Sequence, residues 1–170
     1  MLRFGRINKI INLGPIMLLY YLCVSEVDSH FERYFEILSF NIQLIIIYFW
    51  CLKRQELLGN GHIFFAGLIN DVVMGFPLGI SSLSYLIISF IAAYVKNMTV
   101  NTSITTEWFT FFLAIFFSNL TFSILISNFT EIEINIIDVS YNTFFTFIFF
   151  PFFWFFFNVY NSMIILGKNV

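Results

Sequence analysis

Charge is what this chain has least of. Of its 170 residues, 11% are Asp, Glu, Lys or Arg, against about 25% in an average soluble domain. Eight basic and ten acidic residues leave a formal net charge of −2. There is no cationic patch to meet a phosphate backbone, which excludes a nucleic-acid binder. Two histidines and two cysteines stand without ligand spacing, so no metal site is visible. No Ser-His-Asp or Cys-His arrangement can be assembled and there is no phosphate loop, so the sequence supports neither catalysis nor a cofactor. What it has instead is hydrocarbon: 59% of residues are apolar, 22% are aromatic and 26 are Phe. A domain of this length leaves about 30% of its chain surface exposed, and water is a poor solvent for a surface of this composition. The chain reads as an all-α integral membrane protein.

A membrane-crossing helix needs about 20 mainly apolar residues. Sorting the chain by its charges predicts a six-span helical bundle in one polytopic domain over residues 1–170, with spans at 7–24, 37–52, 62–76, 78–95, 108–127 and 143–166. Pro15 is expected to kink the first span and Pro151 to interrupt the last. The third and fourth are short, because only 33 residues from Ile63 to Val95 are free of Lys, Arg and Glu. The cluster Gly75, Pro77 and Gly79 breaks that stretch into a hairpin.

Orientation follows from the basic residues. With both termini inside, Arg3, Arg6, Lys9, Lys53, Arg54, Lys96 and Lys168 are cytoplasmic and Arg33 alone is outside, the asymmetry expected of short cytoplasmic loops. Most acids fall outside (Glu26, Asp28, Glu32, Glu36, Glu131, Glu133 and Asp138), with Glu56 and Glu107 inside. The basic N-terminus followed by an apolar run has the outline of a leader, but no small-x-small cleavage site follows it, so it reads as an uncleaved span. In this topology Cys23 and Cys51 lie near opposite membrane faces, which excludes a disulfide between them. The Phe-rich runs 109–117 and 144–157 read as lipid-facing bulk. The Asn-x-Ser/Thr triplets at Asn97, Asn101, Asn119 and Asn128 are incidental in an Asn-rich chain.

One side chain stands apart. Asp71 is the carboxylate expected at depth, where an acid costs at least about 2.5–3.5 kcal/mol and so faces the bundle or a partner. Gly67, Asp71 and Gly75 recur every four residues on one side of a helix, with Asn70 and Met74 on its shoulder. Two glycines around an acid allow a second backbone to come close. Ser82, Tyr85 and Ser89, with Ala92 and Ala93, form a small, hydroxylated stripe on the fourth span, and its hydroxyls are the expected donors to Asp71. Three roles are open: a structural clamp, a contact for a partner membrane protein, or a proton-relay or ligand-binding carboxylate. Since no second ionisable group is expected at depth and His62 lies about 13 Å away along the helix, the relay is the least supported. The clamp predicts that Asp71→Asn is tolerated; a proton-coupled transporter predicts that it abolishes flux.

The run from Gly67 to Gly79 reads G-L-x-x-D-x-x-x-G-x-P-x-G and is followed by an apolar span containing Tyr85. It resembles the signature of the bacterial rod shape-determining protein family MreD, as do the chain length, the six spans and the basic step Lys53-Arg54 after the second. The resemblance implies a fold similar to the S components of energy-coupling-factor transporters. It implies a non-enzymatic scaffold of the bacterial inner membrane, within the elongasome, that maintains rod cell shape and regulates peptidoglycan synthesis. Its partners would be an MreC-like bitopic protein and, through it, MreB filaments and RodA with its transpeptidase. Gly67, Asp71, Gly75, Pro77 and Gly79 would be the helix-packing and partner-binding positions, and the loop from Ser127 to Asn142 a second place for a partner's periplasmic domain. The alternative within the same fold is a substrate-binding subunit of a vitamin or small-solute importer.

Overall fold

The computed structural model describes residues 2–25, 41–98, 103–130 and 135–168. Among them the only regular structure is helical: α1 (Leu2–Ser25), α2 (Ile42–Arg54), α3 (Asn60–Met74), α4 (Ile80–Met98), α5 (Ile104–Phe129) and α6 (Ile136–Lys168). Three of these helices, α4, α5 and α6, are long and apolar enough to cross a membrane. Glu26, Asp28, Glu32, Arg33, Glu36, Asn101, Glu131 and Glu133, which carry the predicted outer-loop charges and one Asn triplet, lie outside the described residues.

Helix starts are set by local chemistry. Asn41 caps α2 by accepting the Leu44 N–H (3.2 Å), and Ser103 caps α5 by accepting that of Thr106 (3.3 Å). Each side chain satisfies one of the donors a first turn leaves free. α2 is the innermost helix, with every side chain from Gln43 to Leu52 buried. Around it the neighbours are tied by polar bonds. Ser84 on α4 and Ser118 on α5 meet hydroxyl to hydroxyl at 2.7 Å, and each hydroxyl also lies 3.0 Å from the other's backbone carbonyl, so the two protons bridge the helices. Asn119 on α5 donates to Thr143 on α6 (2.7 Å), and the Asn41 N–H donates to Thr146 (2.9 Å). Each of these bonds satisfies a buried polar group of one helix with a partner on another.

Several expectations need correction. α6 is not interrupted: it runs from Ile136 to Lys168 through Pro151. Proline withdraws the N–H that would bond the carbonyl four residues back. That carbonyl, on Phe147, instead accepts the indole N–H of Trp108 at 2.9 Å. The freed acceptor is satisfied by a neighbouring helix, so the helix continues. The predicted Ser127–Asn142 loop is also mostly helical, because α5 continues to Phe129 and α6 begins at Ile136.

The first helix sits elsewhere along the bundle. The Tyr20 hydroxyl lies 3.3 Å from His62 Nδ1, whereas a crossing over 7–24 puts these two side chains at opposite faces. Cys23 follows Tyr20 by one helical turn. Cys51 bonds Ser89 (3.3 Å), which in turn donates to Asn60 at the start of α3 (3.0 Å). Both cysteines, buried and in no disulfide, therefore belong to the end of the bundle where α3 begins, not to opposite ends.

The Phe runs divide. Phe109, Phe112, Phe116, Phe152, Phe155 and Phe156 face outward, but Phe111, Phe150 and Phe157 are buried. Phe111 stacks on Phe150 with ring centres 4.3 Å apart. The same residue type is exposed bulk on one side of each helix and packing material on the other.

Candidate functional site

The α3–α4 hairpin assembles around its tip. α3 ends where Gly75 takes a left-handed conformation (φ +70°). The Phe76 N–H then reaches back to the Asp71 carbonyl (2.8 Å) and the Gly75 N–H to the Val72 carbonyl (3.4 Å). This double closure of a C-terminus needs a residue free of the Cβ penalty at positive φ. Gly79, the residue before α4, has φ +107°, a conformation essentially restricted to glycine. Neither position is crowded: an added Cβ would meet nothing within 4 Å at either. Backbone conformation, not space, selects these two glycines.

Gly67 is the opposite case. A Cβ there would lie 2.4 Å from Ser82 Cα and 2.6 Å from its backbone nitrogen. No side chain fits, and the missing atom lets α4 lie directly on α3. Ser82 uses the proximity to donate its hydroxyl to the Phe64 carbonyl (3.0 Å).

Asp71, fully buried, connects these features. One carboxylate oxygen accepts the Gly79 N–H at 2.7 Å and the other the Ser81 N–H at 2.8 Å. Gly79 holds the position from which a Ser, Thr or Asp side chain normally caps a helix start. Having no side chain, it leaves those donors to an acid from the preceding helix. The carboxylate also sits at the positive end of the α4 dipole, where an anion is favoured. Asn70 adds a bond from its Nδ2 to the Ser81 hydroxyl (3.1 Å), and Phe76 packs edge-on against Phe122 of α5 at 5.7 Å. Pro77 lies between the two glycines, its carbonyl taking the Ile80 N–H at 3.5 Å. One residue thus closes α3 through its backbone and opens α4 through its side chain.

The hydroxyl stripe expected to serve Asp71 does not. Ser82 bonds Phe64, Ser89 bonds Asn60 and Cys51, and Tyr85 is turned into the apolar core. The reason is geometric: the carboxylate lies beyond the first turn of α4, level with backbone donors, while the stripe runs down the helix away from it. The donors are backbone groups that no reading of side-chain type reveals. This also revises the expected tolerance of Asp71→Asn, since an amide offers one acceptor where two N–H groups need one each.

A second buried acid was missed. Glu107, assigned to an inner loop, is fully buried in the first turn of α5. Its carboxylate takes Lys53 Nζ of α2 on one oxygen and Trp154 Nε1 of α6 on the other (2.6 Å). The Tyr48 hydroxyl bonds Thr110 one turn along and also reaches the Glu107 carbonyl at 3.3 Å. The cap at Ser103, four residues earlier, was the available signal that Glu107 lies within a helix. Two acids, then, are at depth, but they do not form a relay. Asp71 binds Ser81, Ser84 of the same helix meets Ser118, and Glu107 lies eleven residues back along α5, about 16 Å at helical rise. They fasten opposite ends of the bundle. Compared with family models, with curated proteins and with solved structures, the chain matches none.

Proposed function

We propose that this protein is a non-enzymatic scaffold of a bacterial inner membrane, a six-span bundle with both termini inside, acting in the cell-wall elongation machinery as its resemblance to MreD implies. One observation carries the reading. Both oxygens of Asp71 are occupied by backbone N–H groups of the neighbouring helix, which supports an acid that fixes a hairpin over one that exchanges protons or holds a ligand. The MreD-like positions Gly67, Asp71, Gly75, Pro77 and Gly79 then act together as the device that presents the hairpin, and its outward side chains as the surface for a bitopic, MreC-like partner. MreB filaments and RodA with its transpeptidase would be reached through that partner.

The test is capture of the tagged, full-length chain from native membranes after crosslinking, with mass-spectrometric identification of what accompanies it. A single-span coiled-coil protein together with a wall polymerase is the expected outcome. Recovery of a stoichiometric small metabolite, retained in detergent and displaced by titration, would instead establish the importer-subunit alternative.

A further inference from the structure

We draw no further inference here: the strongest candidate, the basic end of the bundle where Arg54 closes α2 with a single 3.8 Å ion contact to Glu56 among the described residues and Lys96 stands in the last turn of α4, carries nothing, because nothing in the structure shows which anion covers it.

Discussion

At the scale of single residues, Asp71 and Gly67 are matched to each other. The carboxylate reaches two backbone N–H groups of α4 only because α4 lies against α3 where Gly67 has no side chain. Asp71→Asn therefore turns an NH₂ toward a donor and leaves a buried N–H unpaired. It is expected to destabilise the protein by about 1–3 kcal/mol, read as a lower midpoint of unfolding in a reconstituted bilayer or detergent. A midpoint unchanged from the parent would mean the cap has little worth. Gly67→Ala acts from the other side. Its methyl would sit against the Ser82 backbone rather than against a movable side-chain end, so the helices must part. The cost should be about 1–3 kcal/mol, with loss of the close crosslink between cysteines placed on the exposed faces of α3 and α4.

At the scale of helices, the informative case is α6. Pro151 would ordinarily break a helix interior at a cost of about 3 kcal/mol, and the sequence reads as an interruption on that ground. The helix survives because Trp108 of α5 supplies the Phe147 carbonyl with a donor. Trp108→Phe should preserve the stacking on Phe147, whose ring lies 5.0 Å away, and cost about 1 kcal/mol through the orphaned carbonyl. In the Pro151→Ala background, where the backbone supplies its own N–H, the same substitution should cost much less. Additive losses in the double variant would argue that the indole bond and the proline are unrelated. This case shows where the sequence stops being legible. Hydrophobic run lengths and charge placement are local, so α3, α4 and α5 are visible in them to within about four residues, while α6 begins seven residues before the predicted span. The tip glycines 75 and 79 are equally visible, since only their own backbone is involved. What replaces a lost hydrogen bond is decided 39 residues away. The donors to Asp71, backbone groups at Gly79 and Ser81, carry no mark in side-chain type. The inward turn of Phe111 and Phe150 amid outward-facing Phe residues is likewise fixed by packing partners.

At the scale of the whole molecule, two buried carboxylates fasten the bundle, one at each end. The Asp71 cap joins α3 to α4; the Glu107 cluster joins α2, α5 and α6 through Lys53 and Trp154. Removing one member of a buried ion pair strands its partner, so Lys53→Met alone should destabilise the protein by about 3–5 kcal/mol. The double variant Lys53→Met/Glu107→Leu should recover most of that loss. A thermodynamic cycle over the two single variants and the double measures the coupling, and single and double variants equally damaged would mean that packing, not charge, matters there.

The same pair has a consequence in time. Synthesis completes Lys53 at a point 54 residues ahead of Glu107, so the end of α2 exists well before the carboxylate that pairs with it. Only when α5 comes to lie against α2 is that cation neutralised. The contact that rivets the finished fold is therefore among the last to become available.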